Sequence, residues 1–207
     1  HLMQKGVLKR KVYEHWALQR LINLGKCNPD QLSASILDDL FELGVREITP
    51  RDFEVLKRHG LLVERVLLDG IHLVLPNGQR VLANLADKAT RTALASSGLG
   101  ASLVNGTVLH AGFFLGPSAM YNALKNMPLA ERNSIHMLGV EHVNQLDLNR
   151  PLYSAQREHA RFVNTGIMAT LSGAVVSDGL ADGRVISGVG GQYNFVSMAH
   201  KLPTGRS

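Results

Sequence analysis

A chain of 207 residues, 45% hydrophobic, 19% charged and 5% aromatic, is long enough for one sizeable domain, or one with an appended subdomain, and too apolar for intrinsic disorder. Its net charge of +5 comes from scattered Lys and Arg, apart from one run over residues 9–20. That pattern favours an anionic small-molecule ligand over a nucleic-acid groove. A single cysteine, Cys27, excludes an internal disulfide and a multi-cysteine metal site, and no apolar stretch reaches the ~18 residues of a membrane span. The expectation is a cytoplasmic protein, in keeping with a reducing compartment, without nucleic acid, membrane or metal as partner.

The opening, His1-Leu2-Met3-Gln4-Lys5-Gly6, has neither a start methionine nor a signal peptide's charged and apolar regions. It reads as the tail of a helix in a longer protein. Residues 7–60 then carry three helical patterns. In "RKVYEHWALQRLINLG", Val12, Trp16, Leu18, Leu21 and Ile22 fall near the 3.6 period, with Gly25 as the stop. Asn28-Pro29 starts a second pattern through Leu32, Ile36, Leu40 and Phe41. Thr49-Pro50-Arg51-Asp52 starts a third, with Thr49 as N-cap, Pro50 at the first helical position and Asp52 in the first turn.

From residue 61 the pattern shortens to strands, in "LLVERVLLDG", "IHLVLP" and "QRVLANL", with "PNGQ" at 76–79 as a hairpin turn. Residues 84–105 read as a helix and a glycine-bearing loop. "GTVLHAGFFLGPSAMYNALKNM", residues 106–127, is a strand feeding a helix that opens at Pro117, and "SIHMLG" at 134–139 is the next strand, giving a βαβ pattern. Further strands are expected in 160–178 and 184–191, joined by the turn "SDGLADG" at 177–183. The alternation predicts an α/β fold, a mixed and largely buried sheet flanked by helices, with a small helical subdomain over residues 1–60 and the α/β domain over 61–207.

The chemistry concentrates in "VISGVGGQYNF", residues 185–195. Its glycines lack the spacing of a dinucleotide fingerprint, and no Gly-Lys-Ser/Thr closes it as a phosphate loop. Three readings stay open from these residues alone. A bare bend lets two elements pack closely. Consecutive N–H groups at Gly190 and Gly191, with Gln192 as side-chain donor, can face one oxygen. Gly-Gly-Gln is also the tripeptide with which release factors cleave an ester on transfer RNA, on a loop more basic and polar than this one.

The segment 160–200 resembles the C-terminal domain of the acetyl-CoA hydrolase and acyl-CoA transferase family, which includes 4-hydroxybutyrate CoA-transferase. The residues that carry the resemblance are Phe162-Val163-Asn164-Thr165, Gly173, Ser177-Asp178-Gly179 and Ser187 through Phe195, with "HAGFFLGPSAMYNAL" at 110–124 upstream. The resemblance is good from about residue 106, and the helical segment 7–60 looks like the longer members of the family. It implies a two-domain enzyme in which a glutamate attacks an acyl-CoA thioester to give a mixed anhydride and then a glutamyl-CoA thioester. Coenzyme A is then both substrate and covalent intermediate. A small carboxylate accepts the CoA, or water ends the cycle, and no metal takes part.

The glycine loop, Gly190, Gly191 and Gln192, corresponds to the oxyanion-stabilising part of such a site. Gly188 and Asn194 beside it are candidate CoA-binding residues on this resemblance, and the family often has Asp where Asn194 stands. A CoA-contacting Asn follows the strand equivalent to "SIHMLG", for which Asn144 and Asn149 are the two candidates; turn chemistry is the plainer role for an Asn before a proline-bearing turn. Gly116, like Gly112, admits the pantetheine arm or simply tight strand-to-helix packing. The family's nucleophile sits in a Glu-Met-x-x-Asp-Gly stretch, and none of the eight glutamates here lies in one. The expectation is therefore that the nucleophile belongs to an N-terminal domain that is the missing partner of this segment, so that this chain alone is inactive. Association into homo-oligomers is compatible with this reading. The alternative is a non-catalytic CoA-binding or interaction module with the same fold. His110, His136 and His142 read as core or surface histidines, since their spacing matches no metal-ligand pattern.

Overall fold

The computed structural model describes residues 11–188 and 190–207. The chain parts between Leu138 and Gly139 into two compact units.

In the first unit, helices form where caps and apolar spacing coincide. Helix α1 (Trp16–Asn23) starts at His15, whose Nδ1 accepts the Leu18 N–H at 3.3 Å. It begins later than the apolar period suggests, because Val12 is drawn into an antiparallel bridge with Thr107. Residue 10 of the expected helix, and the helix tail expected over residues 1–6, lie outside the described residues. Helix α2 (Ser35–Glu42) likewise starts downstream of Asn28-Pro29. There the Asn28 Oδ1 accepts the Asp30 N–H at 3.1 Å, closing a turn in place of a helical start. Helix α3 (Pro50–Arg58) has the expected cap: Thr49 Oγ1 accepts the Asp52 N–H, and Asp52 Oδ2 accepts the Thr49 N–H, both at 3.2 Å.

Strands β1 (Leu67–Asp69), β2 (His72–Val74) and β3 (Arg80–Leu82) form an antiparallel sheet in that order, with Leu68 opposite Leu73 and Leu73 opposite Val81. The "PNGQ" turn closes the second hairpin as expected, with Gly78 at φ +82°. Leu18 and Leu21 of α1, Ile36 and Leu40 of α2 and Leu56 of α3 share one core with Leu61, Leu62, Leu73, Leu85 and Leu94. Residues on both sides of position 60 thus pack together, and the helices and the first sheet belong to one unit.

Helix α4 (Lys88–Ala93) is capped by Asp87 and runs into a π-helical turn, Leu94–Gly98. Strand β4 (Leu109–Ala111) is followed by α5 (Ser118–Asn126), α6 (Leu129–Arg132) and β5 (Ile135–Met137). The two strands pair in parallel, which is the βαβ unit read from the sequence. Pro117, expected at the first helical position, occupies the N-cap of α5 instead, and the helix begins one residue later at Ser118.

The second unit contains α7 (Val140–Asn144), a 3-10 turn at Asp147–Asn149, α8 (Arg150–Gln156), the two-residue strands β6 (Met168–Ala169) and β7 (Val175–Val176), and α9 (Gln192–Lys201). Its core is small: Leu146, Met198 and Leu202, with Tyr153, Phe162 and Phe195 packed against them. Among the described residues, the long strands expected over 160–191 shrink to the β6–β7 pair and two isolated bridges, Arg161 with Arg206 and Gly179 with Val185. Local side-chain bonds compete with the ladder there: Thr170 Oγ1 accepts the Ala174 N–H at 3.0 Å and Asp182 Oδ1 accepts the Arg184 N–H at 3.1 Å. "SDGLADG" does form the turn, with Gly183 at φ +83°.

The α/β class expected from the sequence is what the structure shows, with helices and strands mixed along the chain. Among the described residues the strands are distributed over three small sheets, with partly buried faces.

Candidate active site

Helix α9 opens on Gln192, and Gly191 is its N-cap. A helix start leaves its first N–H groups without intrahelical acceptors and at the positive end of the peptide dipoles. With glycine at the cap, no side chain accepts from that first turn. The N–H groups of Gln192, Tyr193 and Asn194 are those of this first turn. Tyr193 is exposed, and Asn194 is half-buried in the first turn.

Two glycines of the loop are required for different reasons. Gly190 has φ +55°, in the left-handed region that side chains disfavour. Gly191 has an ordinary φ of −94°, but a Cβ on it would lie 2.9 Å from Asn144 Nδ2 and 3.4 Å from Phe195 Cε2. The amide of Asn144 thus rests against the bare Cα at the mouth of the helix. A Cβ at Gly188 would meet open space, and nothing in the structure requires glycine there. Val189 lies outside the described residues.

The two Asn candidates separate. Asn144 ends α7 and faces Gly191, whereas Asn149 caps α8, its Oδ1 accepting the Leu152 N–H at 3.4 Å. Asn149 is occupied with the turn chemistry that an Asn before Pro151 suggests. Gln192 is held by Ser177, whose Oγ donates to its Oε1. Nε2 is then the end of that amide left to donate. Gly116 lies in the other unit, before α5, and an added Cβ would meet the Met120 side chain at 2.6 Å. Those nearest atoms belong to the end of a flexible side chain, which can give way to a Cβ there.

Arg157 escaped the sequence reading. Its Nη1 donates to the Gln145 carbonyl at 2.7 Å, and its Nη2 to the carbonyls of His142 at 2.8 Å and Val143 at 3.2 Å. The same guanidinium lies 4.8 Å from the Tyr153 ring centroid and contacts Met198 Sδ at 3.2 Å. Burial holds its pKa below the usual arginine range. One planar donor thus collects the orphan carbonyls at the end of α7, where Asn144 sits, and joins them to α9 through Met198. Near the start of α9, Phe195 stacks on Phe162 with centroids 5.9 Å apart, and at its far end Lys201 Nζ pairs with Asp147 Oδ2 at 2.6 Å. A single long side chain making contacts 12 to 41 positions away leaves no periodic trace in a sequence.

Chemically, the start of α9 offers first-turn backbone N–H groups, the Gln192 amide bonded to Ser177 and the Asn144 amide against Gly191. That is equipment for stabilising negative charge on a carbonyl or for binding a carboxylate. Residues 116–207 match the acetyl-CoA hydrolase/transferase C-terminal domain. The match covers the whole α9 cluster, including Asn144, Arg157, Ser177 and the glycine loop, and begins just before α5. The donors at the start of α9 thus lie within the segment that is similar to this domain. Neither the curated proteins nor the solved structures yielded a match to the chain.

Proposed function

We propose that the start of α9 is the carbonyl-binding part of an acyl-CoA hydrolase or CoA-transferase site, used on short-chain acyl-CoA. The apposition of Asn144 Nδ2 with the bare Cα of Gly191 is the observation that carries this reading. In the reaction, a glutamate carboxylate adds to the thioester carbonyl, and the oxygen that becomes negative is held by the N–H groups of the α9 start and by the Gln192 amide. The C–S bond breaks, CoA leaves as thiolate and a mixed anhydride remains. The thiolate then attacks the glutamyl carbonyl, releasing the acyl group as its carboxylate and leaving glutamyl-CoA. A second carboxylate or water takes the cycle to its end.

Asn144, with Asn194 and Gly188 beside the loop, borders the path of the CoA chain in this proposal. The attacking glutamate is supplied from outside this chain, since none of its eight glutamates lies in a Glu-Met-x-x-Asp-Gly stretch. The isolated chain is thus expected to turn over no acyl-CoA. Its place of action is the cytoplasm, where acyl-CoA is met and where a lone buried thiol such as Cys27 stays reduced. Among the described residues no helix is long and apolar enough to cross a membrane.

Gly191→Ala tests the arrangement without backbone strain, because φ −94° suits alanine. The added methyl must displace the Asn144 amide. In the full-length protein the expected result is a fall in kcat/KM of about tenfold or more, roughly 1.4 kcal/mol of transition-state stabilisation, at an unchanged melting temperature. An equal loss of melting temperature and folded yield, with specific activity kept, would instead assign the glycine to packing.

A further inference from the structure

The first unit brings together three side chains that the proposed acyl-transfer site does not use. Strands β4 and β5 pair in parallel with His110 directly opposite His136, so both imidazoles project from one face, their centroids 5.7 Å apart. The bridge between Val12 and Thr107, with each N–H donating to the other's carbonyl at 2.8 Å, lays the segment before α1 beside β4. Alternation along that extended segment carries Glu14, two residues on, to the same side. Glu14 Oε1 lies 3.7 Å from His136 Nδ1, and one ligand atom from each of Glu14, His110 and His136 falls within 4.8 Å of the others.

We propose that Glu14, His110 and His136 form a binding site for a divalent transition-metal ion of the zinc class. Two imidazole nitrogens and one carboxylate oxygen are a borderline donor set that suits zinc, cobalt or iron(II) and does not suit magnesium or calcium. Bond lengths near 2.0–2.2 Å in a tetrahedron place ligand atoms roughly 3.3–3.6 Å apart, so side-chain torsions of these half-buried groups need to contract the cluster by at most about 1.5 Å per pair. Three protein ligands leave a fourth position for water or a ligand atom. Thr107 Oγ1, 3.1 Å from His136 Nδ1, orients that imidazole.

The carboxylate is already aimed. Arg58 donates from Nη2 to Glu14 Oε2, leaving Oε1 as the oxygen turned towards His136. The Glu14 N–H donates to His59 Nε2 at 3.1 Å, and His59, fully buried, has its other ring nitrogen 3.3 Å from the Val104 carbonyl. His59 is therefore the tautomer with the proton on Nδ1, and it anchors the Glu14 backbone. Such outer contacts fix the orientation of metal-ligating carboxylates. The Arg58 charge also opposes an incoming cation, so the site is selective for strongly bound transition metals. The sequence pointed to no metal because two residues on neighbouring strands and one on a distant segment leave no short spacing to read.

The test uses the full chain, stripped with a chelator and titrated with Co²⁺ and then Zn²⁺. The expected result is one Co²⁺ per chain, with the intense visible absorption of four- or five-coordinate cobalt, displaced by one equivalent of Zn²⁺. His136→Ala and Glu14→Gln should each weaken binding tenfold or more. Should a variant fail to fold, imidazole ¹⁵N NMR of the unaltered protein gives the same answer, with the His110 and His136 resonances shifting together to an endpoint at one equivalent of Zn²⁺. No uptake, or uptake with both resonances unmoved, would overturn the site. Because Gly191 and Asn144 are not ligands, neither outcome bears on the acyl-transfer reading.

Discussion

The unit ending at Leu138 and the unit Gly139–Ser207 are held together by different physics. The first closes around a continuous apolar core, from Tyr13 to Leu103, in which Leu18, Leu40 and Leu73 are completely buried. The second has Leu146, Met198 and Leu202 at its centre and relies on directed polar contacts: Arg157 on three carbonyls, Lys201 on Asp147, Arg161 on the carbonyls of His159, Ala160 and Thr204. It also leaves Val163, Leu171, Val185 and Tyr193 exposed. The family match runs over the whole second unit, where the glycine loop and its donors sit. On the proposed reading, a region that presents N–H groups and bare Cα atoms to a substrate does not bury them in apolar packing, and bonds with direction fix its geometry instead.

That contrast predicts unequal responses to substitution. Leu18→Ala, in the first core, is expected to cost about 2–5 kcal/mol in denaturant unfolding, the range for truncating a fully buried leucine. A cost under about 1 kcal/mol would mean that this core is not the main source of stability. Arg157→Met, in the second unit, removes one guanidinium and orphans the carbonyls at the end of α7, with an expected cost of about 1–3 kcal/mol. It should also lower kcat in the full-length protein, because Asn144 loses its support. Arg157→Lys should rescue stability better than activity, since an ammonium cannot serve several carbonyls in the plane of one fork. If Arg157→Met leaves both quantities intact, the second unit is not organised by its polar clamp.

The same contrast explains what could be read from the sequence. The cap at Thr49-Pro50-Arg51-Asp52, the "PNGQ" turn and the βαβ order of 106–139 were legible because each is a local chemical requirement with a short spacing. The starts of α1 and α2 were not, because Val12 and Asn28 found tertiary or turn partners that outweigh helical periodicity. Apolar runs in 160–191 suggested long strands, but strands need neighbours, and Val163 and Val185 remain exposed. For the site, the glycine loop was visible as composition, while the distinction between Asn144 and Asn149 needed coordinates. Arg157 was invisible for the same reason: its partners are brought to it by the fold.

The central claim is that Asn144 and the start of α9 act on acyl-CoA while Asn149 serves the fold. Steady-state acyl-CoA turnover by the full-length protein, with thermal unfolding of the same samples, tests it most directly through Asn144→Ala and Asn149→Ala. The account predicts that Asn144→Ala lowers kcat/KM about tenfold or more with the melting temperature kept, and that Asn149→Ala removes a helix cap worth about 0.5–2 kcal/mol with specific activity kept. Full activity in Asn144→Ala, or a selective loss of activity in Asn149→Ala, would contradict it.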